Sequence, residues 1–201
     1  MSLDMKYYNN RKSDVFLSGK HVNLRSLTED DVLDSSWYDW FNDELTCQTL
    51  QKHYFPNTRQ QQMAFYKQMI SDTNKLQLGI VDKDENKLIG VVSLSSINVI
   101  NRNAEFSIVI GDSNYRRRKY STEALKLLFE HGFFALNLHK IYGGSLEMLR
   151  SWVNMLIEIF GFVDEGRWIE HVYKNGKYID CYRIGLLKKD FINALKRYGN
   201  D

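Results

Sequence analysis

The 201-residue sequence predicts an α/β fold of the α+β kind, a sheet flanked by helices. Three observations carry this. Leu88-Ile-Gly-Val-Val-Ser-Leu94 is almost continuously apolar, the pattern of a strand buried on both faces. Residues 105–129 read as a strand, a tight basic loop and a helix. Asn175-Gly176 sits between two alternating runs, which is the strongest short-range hairpin signal.

Taken in order, residues 1–19 are polar, with Tyr7-Tyr-Asn-Asn-Arg11, and read as an arm. A single domain is expected over residues 20–201, a length that suits one full core. Val22 and Leu24 alternate with Asn23 and Arg25 as in a strand. Thr28 before Glu29, Asp30 and Asp31 starts a helix, with a capping hydroxyl and acids at the positive dipole end. Val32, Leu33, Trp37, Trp40 and Phe41 continue it at roughly helical spacing. Residues 42–57 are irregular and Pro56 marks a break. Thr58 caps a second helix with Met63, Tyr66, Met69 and Ile70 on one side.

From Leu76 the pattern is β. Asp82 to Lys87 forms a hairpin tip, Leu88 to Leu94 returns, and Ile97 to Ile100 extends that strand. In the next strand, Phe106, Ile108 and Ile110 alternate with Glu105, Ser107 and Val109. Gly111 to Asn114 stops it. Arg116, Arg117, Arg118 and Lys119 follow, and a helix places Leu125, Leu128, Phe129 and Leu136 on one stripe. Lys140-Ile-Tyr142 is a short strand. Trp152, Val153, Leu156 and Ile159 mark a helix over 150–160, ended by Gly161. Trp168 to Tyr173 and Tyr178 to Leu187 form the final hairpin.

The formal net charge is only +2, so no global field argues for nucleic acid; the basic cluster matters because it is local. Cys47 and Cys181 make no disulfide framework, and a reducing cytoplasm is expected. No apolar run approaches the ~20 residues that span a bilayer, and no signal-peptide core is read near the N-terminus. Neither a membrane nor a nucleic acid is expected as a partner, and a homodimer is left open. No His, Cys and Asp spacing resembles a metal site. A cationic loop that feeds a helix N-terminus suits a phosphate-bearing ligand.

The order of Leu88-Ile-Gly-Val-Val92, Ala104-Glu-Phe106, Thr122-Glu-Ala-Leu125, Leu136-Asn-Leu-His-Lys-Ile-Tyr142, Gly161-Phe-Val-Asp-Glu-Gly166 and Asn175-Gly-Lys-Tyr-Ile-Asp180 resembles the GNAT acetyltransferases. The branch most similar is the one of RimJ/RimL-like and spermidine acetyltransferase-like enzymes. The resemblance implies a central mixed, mostly antiparallel, twisted sheet, splayed at a cofactor cleft. It also implies an N-acetyltransferase that moves acetyl from acetyl-CoA to a primary amine by direct attack. The amine is that of an amino sugar nucleotide, a polyamine or a protein N-terminus. Asp39, Asp43 and Glu44 suit a polyamine; Trp37, Trp40 and Tyr54 suit a sugar ring, and tilt the reading slightly to the amino sugar.

By the same resemblance, the loop 116–121 holds the cofactor's pyrophosphate. Arg116, Arg117, Arg118, Lys119, Tyr120, Ser121 and Thr122 are therefore its expected contacts. The family's loop is Gln/Arg-x-x-Gly-x-Gly/Ala; Lys119 and Ser121 replace its two small residues. Ile108, Val109 and Ile110 would pair with the pantetheine arm. Glu105 is the expected base, with an ordinary strand glutamate paired to a cation such as Arg102 as the alternative. The family's acidic tyrosine falls on Ile157, and its asparagine on Arg150, which by charge alone is a cofactor contact. Tyr142, Tyr120 and Ser151 are the stand-ins for the acid, Tyr142 foremost. Trp37 and Tyr54 are the expected substrate contacts, with Gln51 and His53 as further candidates. His139 and His171 read as structural or exposed. The alternative is an impaired fold that binds CoA or a partner without turnover.

Overall fold

The computed structural model describes residues 15–50 and 54–198. Of the expected arm, residues 1–14 lie outside the described residues. Val15–Ser18 is instead a strand, β1, paired antiparallel with β2, Val22–Arg25. Gln51 and His53 also lie outside the described residues.

Thr28 caps α1, Glu29–Leu33, in a reciprocal box with Asp31. Asp31 also pairs with Arg25 at 2.7 Å, which ties helix to strand. The expected helix to Phe41 stops early. Ser35 Oγ donates back to the Asp31 carbonyl and accepts the Trp37 N–H, so a side-chain turn replaces the helical ladder. A 3-10 turn over Asp39–Phe41 and a short helix α2, Glu44–Cys47, follow. Thr58 caps α3, Arg59–Ser71, again in a box, with Gln61. Met63, Tyr66 and Met69 pack inward from α3, whereas Ile70 is exposed.

Strands β3 (Leu76–Asp82), β4 (Leu88–Asn98) and β5 (Asn103–Ile110) form the antiparallel centre. Val99 and Ile100 do not extend β4: Asn98 Oδ1 accepts the N–H groups of Ile100 and Asn101, and this turn leaves both apolar side chains exposed. Helix α4, Arg118–Glu130, buries Ala124, Leu125, Leu128 and Phe129. A π-turn over His131–Ala135 then widens the spiral. Phe133 takes the next core place, and Leu136, expected on the stripe, is exposed.

Strand β6, Lys140–Leu146, leads to α5, Arg150–Phe160, which ends on Gly161 at φ +84°. Few residues other than glycine take that φ without strain. Strands β7 (Val163–Lys174) and β8 (Lys177–Leu187) meet at Asn175-Gly176, both at positive φ. A C-terminal helix α6, Lys188–Tyr198, was not expected; it buries Phe191 and Ala194 against the sheet's helix side.

The sheet order is β1-β2-β3-β4-β5-β6-β8-β7, antiparallel except for β5 with β6. One core lies between the sheet and α4, α5 and α6, centred on Phe106, Phe129, Phe133, Phe160 and Phe191. A smaller one, on Trp37, Trp40, Val81, Leu88 and Val91, lies under α1 and α3. The sheet is thus covered by helices on both sides, as the alternating strands require. No described helix is long and apolar enough to cross a membrane.

Candidate active site

Strands β5 and β6 start as a parallel pair: Asn103 faces Lys140, Ala104 faces Ile141, and Glu105 faces Tyr142. Among the described residues no further pair joins them. On its other edge β5 stays paired with β4 as far as Ile110, and β6 stays paired with β8 as far as Leu146. The sheet therefore opens between two intact halves. The facing edges, Phe106 to Ile110 and Gly143 to Leu146, carry backbone groups with no strand partner, the condition under which an extended ligand adds by main-chain hydrogen bonds.

A cavity of about 770 Å³ runs through this gap. Phe106 to Ile110 line it on one side, and Gly144, Ser145 and Leu146 on the other. Helix α5 contributes Ser151, Trp152 and Met155; α2 and the segment after it contribute Leu45, Thr46, Thr49 and Leu50. At the far end stand Arg117 and Ser121, at the N-terminus of α4. The first turn of a helix leaves its N–H groups without carbonyls a turn earlier, so this end suits a phosphate.

The basic loop is more divided than its sequence implies. Arg116 does not reach outward: its guanidinium donates to the carbonyls of Ile110 and Gly111 and to Thr46 Oγ1, 3.9 Å from Asp43. It fastens α2 to the end of β5. Asp43 caps α2, and the Thr46 hydroxyl and N–H hold its carboxyl below the usual range. Arg117 is exposed at the cavity mouth. Arg118 opens the helix, and its side chain lies outside the described residues. Lys119 needs no positive φ, because it lies in the first turn of α4; its ammonium stands 4.6 Å from the centre of the Tyr120 ring. Tyr120 packs edge-on against Tyr115 rather than into the cavity. Ser121 is buried and lines the cavity, while Thr122 Oγ1 donates to the Lys119 carbonyl. Glu123 is structural. Its carboxylate accepts the N–H groups of Lys20, His21 and Val22 and binds the β1–β2 turn to α4.

Glu105 is the last residue of β5 paired with β6, on the face opposite the main core. Its carboxylate is 3.5 Å from Arg183 on β8, not Arg102. Tyr142 stands beside it on β6, with the Arg183 guanidinium 5.8 Å from its ring. Neither lines the cavity wall; Ser107, the next residue on the Glu105 face, does, and its hydroxyl bonds Ser93 at 2.8 Å. Of the three acid stand-ins, only Ser151 lines the cavity. Arg150 pairs with Asp164 at 3.0 Å, its guanidinium stands 4.7 Å from the centre of the Tyr182 ring, and it is not among the residues that line the cavity.

Trp37 is a correction. It is fully buried in the smaller core, where aromatic and β-strand side chains surround it, and it touches no cleft. Trp40 is buried too, its ring lying against the Cα of Gly111, where a Cβ would come within 1.8 Å of it. Tyr54 is exposed, but its hydroxyl donates to the Tyr173 carbonyl and it lines a separate cavity of about 220 Å³ between α2 and the tip of the β7–β8 hairpin. Several residues on the main cavity escaped the sequence reading, Cys181 and Ser145 among them. Cys181 on β8 is buried, and burial pushes its thiol's pKa up. Ser145 on β6 is buried, and its hydroxyl has no hydrogen-bond partner among the described residues. No sequence pattern marks either residue, since both gain their setting from β6–β8 pairing.

The chain matches the acetyltransferase (GNAT) domain model over residues 21–147. It is 34% identical over 128 residues to the spermidine N(1)-acetyltransferase of Vibrio cholerae serotype O1, covering 64% of this chain and 72% of that one. To the spermidine N(1)-acetyltransferase of Escherichia coli K12 it is 30% identical over 120 residues, which spans 60% of this chain and 63% of that one. The crystal structure of the Vibrio cholerae spermidine N-acetyltransferase in complex with CoA and spermine superposes with a TM-score of 0.78, at 26% identity, over 87% of this chain and all of that one.

Proposed function

Because the chain belongs to the GNAT acetyltransferase family and is an acetyl-CoA-dependent N-acetyltransferase, we propose that its acceptor is a primary amine of a polyamine. The opening of the sheet beyond Glu105 and Tyr142 carries the reading of the site. The polyamine rests on the relatives named for spermidine and on the loss of the case for a sugar: Trp37 and Trp40 lie in the core, not on a cleft wall. Glu105 offers a carboxylate at the closed end of the gap, where a cationic amine would meet it.

Acetyl-CoA supplies an acetyl group activated as a thioester. The N-terminus of α4, with Arg117 and Ser121, holds its phosphates. The β5 edge from Ser107 to Ile110 orients its arm, and apolar Leu146, Trp152 and Met155 exclude water from the reacting end. Glu105 takes the proton from the attacking amine, directly or through one water. Arg183 holds that carboxylate in place.

Thiol release from acetyl-CoA, measured with spermidine, spermine, an amino sugar nucleotide and an N-terminal peptide amine, tests the acceptor. The polyamines are expected to give kcat/KM at least about tenfold above the others, the worth of one good charge-assisted contact. A preference for the amino sugar would overturn the polyamine reading. CoA binding without turnover on any amine would favour the impaired alternative, which Ile157, in place of a proton donor, motivates.

A further inference from the structure

Ser145 is 8% exposed, and its hydroxyl has no hydrogen-bond partner among the described residues. Folded proteins leave few buried polar atoms in this state, because an unmade bond costs about 1–3 kcal/mol. The position explains what it awaits. Extending the β5–β6 register by three residues brings Ser145 level with Ile108, across the gap where the ladder is missing. Ser145 shares a face of β6 with Ile141 and Gly143, which is the face toward α5.

Several other polar groups on the cavity are committed or lie toward solvent. Ser107 bonds Ser93, Thr46 takes the Arg116 guanidinium, and Ser151 and Arg117 are exposed. At Ile157, where the family's proton donor is expected, the side chain is apolar and does not line the cavity. We propose that the Ser145 hydroxyl is a catalytic group, the hydrogen-bond donor to the sulfur of the acyl donor. This rests on the acetyl-CoA site described above. In the step, the amine nitrogen bonds the acetyl carbon and the C–S bond breaks with its electron pair on sulfur. The amine proton goes to Glu105, and Ser145 keeps its own proton while its O–H stabilises the departing thiolate.

The test titrates the thiol of bound CoA by thiolate absorbance in the unchanged protein and in Ser145→Ala and Ser145→Thr. In the unchanged protein the bound thiol ionises at lower pH than free CoA. Ser145→Ala raises that pKa by about one unit, the tenfold step of one bond to a charged group, and lowers kcat about tenfold. Ser145→Thr, which keeps the hydroxyl, stays near the unchanged values. Affinity for desulfo-CoA stays within twofold throughout. The melting temperature of free Ser145→Ala is unchanged or higher, since an unsatisfied hydroxyl is removed. An identical bound-thiol pKa in Ser145→Ala overturns the proposal, and so does a fall in its melting temperature, which would mean an internal partner. If the unchanged protein binds neither CoA nor desulfo-CoA, the site reading itself fails; if it binds both and the pKa does not move, only the role of Ser145 does.

Discussion

At the scale of single residues, the proposed chemistry of the acceptor side turns on Glu105. Glu105 is the only residue read from the sequence as a base, and the structure sets it at the point where the sheet begins to open. Glu105→Gln keeps the shape and removes the proton acceptor. It should lower kcat about 10²–10⁴-fold, the usual worth of a positioned base, while the Kd for CoA stays within threefold; an unchanged kcat would remove Glu105 from the reaction. Cys181 is governed by burial. A thiol whose folded pKa is raised disfavours the thiolate inside the fold, so its contribution to stability is complete below the ordinary thiol pKa and is lost as pH rises through the shifted one. Alkylation of Cys181 in a Cys47→Ala background should therefore be slow at pH 7.5 and slower still with CoA, because the thiol lines the same cavity. Fast alkylation that CoA does not change would contradict that placement. Arg116 shows what a sequence conveys at this scale and what it does not. Its charge and its place before a helix are plain in the run Arg116 to Lys119. Its partners are not, since Thr46 lies 70 residues away.

Among the elements, legibility follows how local the determining forces are. The strands β3 to β5, the caps at Thr28 and Thr58, and the Asn175-Gly176 turn were all readable, because short-range pattern and turn chemistry fix them. Helix α1 was overextended since the Ser35 side chain competes with the backbone. Strand β1 was missed although Val15-Phe-Leu17 is apolar, because a strand of four residues is too short for a period-two alternation to show. Its attachment leads to a prediction about α4. Within Thr122-Glu-Ala-Leu125, the Glu123 carboxylate reaches another element and accepts the N–H groups of Lys20, His21 and Val22. Glu123→Ala leaves these donors to water. It should cost about 1.5–3 kcal/mol, as for hydrogen bonds to a charged group, and raise amide exchange at residues 20–22 before any other segment. Uniform exchange across the sheet would instead mean that the turn holds without it. On the same helix, Lys119→Ala should weaken CoA binding only a fewfold, and the effect should fade with added salt, because the lysine is an exposed charge and not a required backbone conformation. Arg116→Ala should differ: it loosens α2 as well, so melting temperature and affinity fall together.

For the whole molecule, the two halves of the sheet are joined near the site by only the short ladder that ends at Glu105 and Tyr142. On one side the β1–β5 half carries the smaller core and α1 to α3; on the other, β6 to β8 carry α5 and α6, while α4 leans on both. A ligand that bonds both open edges therefore does more than fill a cavity. It completes the sheet and couples the halves. This gives CoA two measurable effects. Saturation to about a hundred times Kd should stabilise the fold by about 2.7 kcal/mol, as mass action requires of any ligand bound to the folded state alone. The second effect is specific to this architecture: amide exchange should slow at Ser107 to Ile110, on the β5 edge, and at Gly143 to Ser145, on the β6 edge, although the two segments are unpaired with each other in the free protein. Protection confined to Arg117 to Ser121 would mean that only the phosphates are held, and the donor arm would then not lie between the strands. Protection on both edges, with none at residues 163–174 in the outer strand β7, would identify the opening itself as the place where the acyl donor binds.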